Sequence, residues 1–125
     1  MALKLELKAG ERLRLGDCVV VNGGARATLL IEGDTPVLRE TEIIEPAHAD
    51  SAAKRLYLAV QSMHLSRRRG GFLTDYAFHA GEIAAASPAL KPLIDTIDDL
   101  VAAGRYYKAM RAARHLIDAE TRRAA

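Results

Sequence analysis

Basic side chains recur near the start of the chain at positions from which they could contact phosphate groups. Five of them fall on the polar side of segments in which apolar and polar residues alternate: Lys4, Lys8, Arg12, Arg14 and Arg26. Contacts from such residues to phosphates give an affinity that falls as salt rises, whereas single-stranded bases are read by hydrogen bonds and by stacking on aromatic or guanidinium planes. Because no aromatic residue precedes Tyr57, stacking here would fall to the arginines. On the residues alone, we favour an ordinary solvated face balanced by Glu6, Glu11 and Glu32.

A run of three arginines, Arg67, Arg68 and Arg69, directly precedes two glycines. Adjacent guanidinium groups on a loop can follow a phosphate backbone. Charge runs in loops are most often only solvated, however, and we favour that interpretation. The run is therefore a secondary candidate for a nucleic-acid contact.

The alternation that positions the first basic residues is the period of half-buried β-strands. Within residues 3–21 it is interrupted at Gly10-Glu11 and Gly16-Asp17, which favours a tight antiparallel meander. Asn22-Gly23-Gly24 follows the next apolar run and has the residues that a two-residue hairpin with positive φ requires. Alternation over residues 25–32 and the short segment 37–39 predict two further strands.

The apolar period changes to that of α-helices after residue 50, and the charge balance changes with it. Residues 1–50 contain six basic and nine acidic residues, whereas residues 51–125 contain twelve and seven. We expect four helices, over about 51–66, 74–86, 87 or 93 to 104, and 105–122. The predicted fold class is therefore α+β, with a small antiparallel β unit over 1–47 and an α-helical region over 48–125 packed on it.

The last predicted helix has one apolar stripe and one basic stripe. The apolar stripe consists of Tyr106, Met110, Ala113 and Ile117. Lys108, Arg111 and Arg114 form the basic stripe, which we expect to face solvent. Such an exposed helix face could bind a partner protein.

The sequence contains no pattern that is typical of catalysis or metal binding. Its four histidines are scattered without ligand spacing: His48, His64, His79 and His115. It has no phosphate-binding loop and no nucleophile elbow. We therefore expect no enzyme activity, no catalytic residue, no metal site and no cofactor.

Compartment and membrane association are indicated by cysteine usage and hydropathy. Cys18 is the single cysteine, so it cannot form an internal disulfide, and it fits a reducing compartment. No apolar run approaches the length of a membrane helix, and the first residues alternate where a signal peptide needs a continuous apolar core. The sequence predicts a cytoplasmic protein with no membrane partner.

The N-terminal half resembles the carbon storage regulator CsrA family, which comprises small, dimeric, all-β RNA-binding proteins. The resemblance lies in Gly10-Glu11, Leu13-x-Leu15-Gly16-Asp17 and Val37-x-Arg39-Glu40-x-Glu42-Ile43. It implies that basic residues of the first strand and an arginine at the end of the last strand contact RNA, and that two protomers exchange strands. The arginine matches Arg39. Lys8 stands where a first-strand basic residue is expected, but Glu6 and Leu7 replace the polar and basic residues before it.

Nearly the whole chain resembles the flagellar biosynthesis repressor family FlbT. The matching segments in the C-terminal half are Lys54-Arg55-Leu56-Tyr57, Ala59-Val60-Gln61-Ser62-Met63 and Arg105-Tyr106-Tyr107-Lys108-Ala109. This resemblance implies a cytoplasmic regulator, not an enzyme, that acts on the 5′ leader of flagellin messenger RNA and couples flagellin synthesis to flagellum assembly. The regulator FlaF accompanies the family and is a candidate partner.

Two functions of different class follow from these resemblances. In the first, the protein binds the flagellin mRNA leader through Lys8, Arg12, Arg26 and Arg39. In the second, it is an adaptor that docks flagellin or FlaF on its helices and affects the message indirectly. So few residues in short strands bury little apolar surface, so the N-terminal strands need a partner surface. We expect a homodimer through these strands, and the helices of the same chain are the alternative partner surface.

Overall fold

The computed structural model describes residues 2–66 and 70–124. The candidate contacts Arg67, Arg68 and Arg69 therefore lie outside the described residues. The described part of the chain contains short antiparallel strands followed by α-helices, which confirms the predicted α+β class. The chain divides into two compact units, Met1–Ile43 and Ile44–Ala125, which we call the β unit and the helical unit.

The strands of the β unit form two small antiparallel sheets. Their bounds are β1 Ala2–Leu7, β2 Arg12–Leu15, β3 Cys18–Val21, β4 Ala27–Glu32 and β5 Val37–Arg39. Strand β1 pairs with β4 in one sheet, and β2 lies between β3 and β5 in the other. The strands fall where the sequence pattern predicts them. The β2–β3 pair joins consecutive strands, whereas the β1–β4 and β2–β5 pairs do not.

The meander predicted over residues 3–21 requires β1 to pair with β2. This part of the prediction is wrong, because β1 pairs with β4. The chain leaves β1 at Gly10, whose φ of 76° is a conformation that glycine adopts without steric cost. Its N–H donates to the carbonyl of Asn22 at 2.7 Å. The hairpin between β2 and β3 does form, and its two-residue turn is Gly16-Asp17, with Gly16 at φ 61°.

Asn22-Gly23-Gly24 does not form the predicted two-residue hairpin. Neither glycine has a positive φ, which type I′ and II′ turns require. The Asn22 side chain organises the loop instead, since its Nδ2 donates to the carbonyls of Leu7 and Ala25, both at 2.8 Å, and its Oδ1 accepts from the Gly24 N–H at 3.0 Å. These bonds direct the chain from one sheet to the other.

The core of the β unit is small. Among its described residues, 2–43, the buried hydrophobic side chains are three leucines from three different strands, Leu7, Leu13 and Leu38. Leu30, by contrast, lies opposite Lys4 on the polar face of the β1–β4 sheet and is 68% exposed. A unit with this little buried apolar surface is expected to contribute only modest stability of its own.

The helical unit contains α1 Ala52–Leu65, α2 Gly70–Ala86, α3 Lys91–Ala102 and α4 Tyr106–Ala124. Helix α1 begins after Ser51, whose side chain caps it by accepting from the Lys54 N–H at 3.3 Å. Helix α3 ends in a Schellman arrangement: Gly104 has φ 74°, and the Arg105 N–H donates to the Leu100 carbonyl at 2.8 Å.

Helix α2 begins four residues earlier than predicted. Gly70 and Gly71, which the sequence suggests as a break, lie in its first turn. Glycine keeps its main-chain N–H and C=O, so it can take part in helical hydrogen bonds, and its cost in a helix is conformational entropy of about 1 kcal/mol relative to alanine. Helix α3 begins at Lys91, between the two predicted starts at residues 87 and 93. It follows a short 3-10 turn, Pro88–Leu90, and has Pro92 in its first turn.

The helical core lies where α1 packs against α2 and α4, and where α3 packs against α4. The helical period after residue 50 repeats at Leu56, Val60, Met63, Ile97, Met110 and Ile117, and all six side chains are buried. Leu100 and Tyr106 are only half-buried. The apolar stripe of α4 thus points inward, as its spacing indicates.

A buried glutamine fixes the start of the helical unit. The Ile44 N–H donates to Gln61 Oε1 at 2.8 Å, and Gln61 Nε2 donates to the Ile44 carbonyl at 3.1 Å. The side-chain amide therefore satisfies both main-chain groups of Ile44, as a neighbouring strand would. No helix within residues 2–66 and 70–124 is long and apolar enough to cross a membrane.

Candidate nucleic-acid interface

The polar face of the β1–β4 sheet carries three of the predicted basic residues. Lys4 lies on β1, Lys8 follows it, and Arg26 precedes β4. All three side chains are exposed. Arg26 Nη1 lies 3.7 Å from Glu6 Oε2, and both side chains of this pair are more than half exposed. An exposed ion pair of this kind contributes little energy, so it leaves the guanidinium free to exchange its carboxylate for a phosphate.

A second basic surface lies on the three-stranded sheet. The turn at Gly16-Asp17 places Arg14 opposite Val19 and Arg12 opposite Val21. Val19 is 54% exposed and Val21 is 50% exposed. We call the surface formed by Arg12, Arg14, Val19 and Val21 the arginine–valine face.

The arginine–valine face is bounded by β5. Leu38 pairs with Arg14 and is fully buried, so the open part of this face is the part formed by β2 and β3. Arg14 Nε donates to the Gly16 carbonyl at 3.4 Å, which holds its half-buried side chain over the sheet. None of the strand positions on this face is a carboxylate. Its cations are therefore less neutralised than those of the β1–β4 sheet.

Arg39 lies on the opposite face of the same sheet, because it pairs with Leu13 and not with Arg12 or Arg14. Its Nη1 donates to the main-chain carbonyl of Glu6 at 3.1 Å and lies 3.7 Å from Glu11 Oε1. Its N–H also donates to Glu42 Oε1 at 3.0 Å, within a capping box. These contacts give Arg39 a structural role inside the β unit.

The structure thus does not gather the predicted RNA-contacting residues into one cluster. The β1–β4 sheet carries Lys4, Lys8 and Arg26 on its polar face. Arg12 lies on the arginine–valine face of the three-stranded sheet, and Arg39 lies on the opposite face of that sheet. The sequence interpretation missed Val19 and Val21, because a continuous apolar run suggests burial. The turn at Gly16-Asp17 could have predicted their exposure, because a two-residue turn sets the register of its hairpin and this register pairs the two valines with Arg14 and Arg12.

The basic stripe of α4 is only partly available. Lys108 and Arg111 are exposed. Arg114 is also exposed, but its guanidinium lies 5.0 Å from the centre of the Tyr57 ring, and its Nη2 donates to the Tyr57 hydroxyl at 3.2 Å. Arg114 is therefore bound to α1. Lys108 and Arg111 form no ion pair with another described residue, so they are the open part of the predicted partner surface.

Comparison with known proteins covers both units. The family model for the flagellar protein FlbT matches residues 3–123. The chain belongs to the FlbT family. Because the match spans the strands and all four helices, the family is defined by the β unit together with the helical unit. No solved structure matches the chain.

Relatives in three organisms agree with this membership. A probable flagellum biosynthesis repressor protein FlbT of Rhodopseudomonas palustris is 37% identical over 96% of this chain and 95% of its own length. FlbT 1 of Bradyrhizobium diazoefficiens, also a probable repressor, is 41% identical over 94% of this chain and 81% of its own. The flagellum biosynthesis repressor FlbT of Caulobacter vibrioides is 33% identical over 98% and 89%.

The described residues give this FlbT family member no evident metal site. Within them, no group of three or more histidine, cysteine, aspartate or glutamate side chains is placed to hold a metal ion. The Cys18 thiol is exposed. What the β unit offers a ligand is therefore charge, hydrogen-bond donors and exposed apolar surface.

Proposed function

We propose that this chain regulates flagellum biosynthesis after transcription, by binding the 5′ leader of flagellin messenger RNA and coupling its translation or decay to flagellum assembly. Membership of a family whose relatives are named flagellum biosynthesis repressors supports the flagellar role. The resemblance of the β unit to the CsrA family supports RNA as the ligand. Such a regulator acts in the cytoplasm, where the message is translated.

The observation that carries the RNA proposal is the arginine–valine face. It presents Arg12 and Arg14 beside two exposed valines, with no carboxylate at a strand position of that face. Guanidinium groups can pair with phosphates and can stack on bases, and the valine methyl groups provide an apolar support for an unstacked base. This combination suits a single-stranded leader better than a duplex, whose bases are not accessible for stacking.

Lys4, Lys8 and Arg26 extend the proposed interface as phosphate contacts. Their sheet also carries Glu6, so they add salt-dependent affinity and little sequence preference. Arg39 lies on the face opposite Arg12 and Arg14, and its hydrogen bond to the Glu6 carbonyl joins β5 to β1. Its direct contact with RNA, which the CsrA resemblance implies, stays a prediction.

A homodimer through the β unit fits the same proposal. The β1–β4 sheet has only two strands, so neither of its edges is paired with another strand of the described chain. Leu3 and Leu30 of this sheet are exposed. A second copy could pair with a free edge of this sheet, and such a dimer would bring two arginine–valine faces to one RNA.

The alternative function is that of an adaptor which docks flagellin or FlaF on its helices and does not itself bind RNA. The observation in its favour is the exposed pair Lys108 and Arg111, which form no ion pair within the described residues. An acidic partner surface would complement them.

Titration of the purified protein with labelled flagellin leader RNA at several salt concentrations tests the RNA proposal. We expect binding that weakens as salt rises, with a slope of log K against log salt of about −0.7 for each phosphate contact to a single strand. A labelled RNA of the same length and shuffled sequence is the control for specificity. Absence of leader binding at low salt, together with capture of flagellin or FlaF, would favour the adaptor.

A further inference from the structure

The helical unit contains an open pocket that is remote in sequence from the β-unit residues discussed above. It has a volume of about 420 Å³, which is within the range of about 300–1,000 Å³ that is usual for binding sites. It lies among all four helices, and its lining includes Met63, Leu73, Tyr76, Asp98, Val101 and Ala102. We call it the Tyr76–Asp98 pocket.

The floor and the rim of the Tyr76–Asp98 pocket differ in exposure. Met63, Tyr76 and Val101 are buried and form an apolar floor. Leu73, on α2, is 48% exposed, and Ala102, on α3, is also exposed. An apolar side chain that entered from solvent would thus reach a buried floor between two exposed helix edges.

One polar contact is placed at this rim. The Tyr76 hydroxyl donates a hydrogen bond to Asp98 Oδ1. Burial and the neighbouring Asp98 raise the pKa of Tyr76, so the phenol stays protonated and remains a donor at neutral pH. The bond holds the Asp98 carboxylate at the pocket, while the residue stays exposed to solvent.

The surrounding charge on α3 is negative. Asp95 lies one helical turn before Asp98. Lys91 forms an ion pair with Asp95 and thereby neutralises the Asp95 carboxylate. Asp98 and Asp99 form no ion pair with any cation of residues 2–66 and 70–124. The rim of an apolar pocket therefore carries an oriented carboxylate that is open to a cation.

We propose that the Tyr76–Asp98 pocket binds a basic amphipathic helix of a partner protein, which inserts an apolar side chain onto the floor and places a lysine or arginine beside Asp98. Helix-in-groove recognition uses apolar anchors at i, i+3, i+4 and i+7 with charges beside them. The open rim between α2 and α3 and the single carboxylate match that pattern. The residues that line this pocket differ from those of the proposed RNA interface and from Lys108 and Arg111.

The probe is a labelled synthetic helix of leucine and lysine with leucines at i, i+3, i+4 and i+7, and a helix with glutamate in place of lysine is its control. Asp98→Asn removes the charge but keeps an acceptor for Tyr76. Asp99→Asn makes the same change one residue away, outside the lining. Ala102→Phe fills the pocket from an exposed position, so it should not disturb the core.

Fluorescence anisotropy of the labelled helix, with circular dichroism to confirm folding, gives the decisive comparison. We expect the leucine–lysine helix to bind the wild-type chain and Asp99→Asn equally, and to bind Asp98→Asn and Ala102→Phe at least tenfold more weakly. The glutamate helix should not bind. Equal binding by all four proteins, equal binding of both helices, or no binding would overturn the proposal. So would self-association of the wild-type chain that Ala102→Phe abolishes, because a second copy would then be the occupant.

Discussion

The guanidinium of Arg39 donates a hydrogen bond to the main-chain carbonyl of Glu6 across 3.1 Å. Arg39 ends β5 in the three-stranded sheet, and Glu6 lies on β1 in the two-stranded sheet. The bond therefore joins the two sheets of the β unit. Within residues 2–43, the buried hydrophobic side chains of this unit are three leucines.

Arg39→Ala is accordingly expected to destabilise the β unit, in addition to any effect that it has on RNA binding. It removes the bond to Glu6 and the ion pair with Glu11. A partly exposed, charge-assisted hydrogen bond contributes about 1–2 kcal/mol. Urea unfolding followed by far-ultraviolet circular dichroism measures the loss, and Arg26→Ala, which removes an exposed pair only, is the matched control. An unchanged midpoint for Arg39→Ala would show that the bond does not hold the sheets together.

Gly16→Ala should weaken the β2–β3 hairpin. Gly16 has φ 61°, and a Cβ there would lie 3.1 Å from Thr35 Cγ2. Alanine in the left-handed region costs about 1–2 kcal/mol. Gly23→Ala is the control, because Gly23 lacks a positive φ and has open space around it. Thermal melts should show a lower Tm for the first variant only, and equal Tm values would mean that the turn tolerates a side chain.

Met110→Ala should destabilise the helical unit, while Arg111→Glu should not. Met110 is fully buried and Arg111, the next residue, is exposed. Truncating a buried methionine costs about 2–5 kcal/mol, whereas an isolated exposed charge contributes little. Chemical denaturation separates the two effects. If Arg111→Glu unfolds as readily as Met110→Ala, the assignment of the two faces of α4 is wrong.

Because of Tyr76, the free energy of unfolding should decrease as the pH is raised into the alkaline range. Its pKa is raised in the folded protein, first by burial and then by Asp98, above the ordinary value of 10.0. The folded state therefore retains this proton when the unfolded state loses it, so the stabilisation is complete below about pH 10 and is lost as pH rises above it. Stability of the wild-type chain measured across this range should fall more steeply than that of Tyr76→Phe. Parallel curves would contradict the shift.

The periodicity of the sequence was sufficient for the fold class and for most element positions. Alternation predicts where Leu7 and Leu13 lie along strands, and helical spacing predicts the burial of Leu56 and Met110. Pairing is different, because alternation defines the faces of a strand but not its neighbour. The β1–β4 pairing joins residues 2–7 to residues 27–32 across an entire hairpin, and no local pattern specifies it.

The candidate site was predictable only in part for the same reason. Lys4, Lys8, Arg12 and Arg26 are exposed, as polar positions of strands suggest. The bond between Arg39 and Glu6 depends on how the two sheets meet, and the contact of Arg114 with Tyr57 depends on how α4 meets α1. Tertiary contacts of this kind cannot be predicted from residue spacing, because the two partners are far apart in the sequence.

The most direct test of the proposed function is the binding of labelled flagellin leader RNA to the double variant Arg12→Ala/Arg14→Ala, with Lys108→Ala/Arg111→Ala as the charge-matched control. If the arginine–valine face binds the leader, the first variant should bind at least tenfold more weakly, and its salt slope should be shallower by about 1.4, or about 0.7 for each lost phosphate contact. The control should bind as the wild-type chain does. Wild-type affinity and salt slope in a folded Arg12→Ala/Arg14→Ala variant would contradict the account.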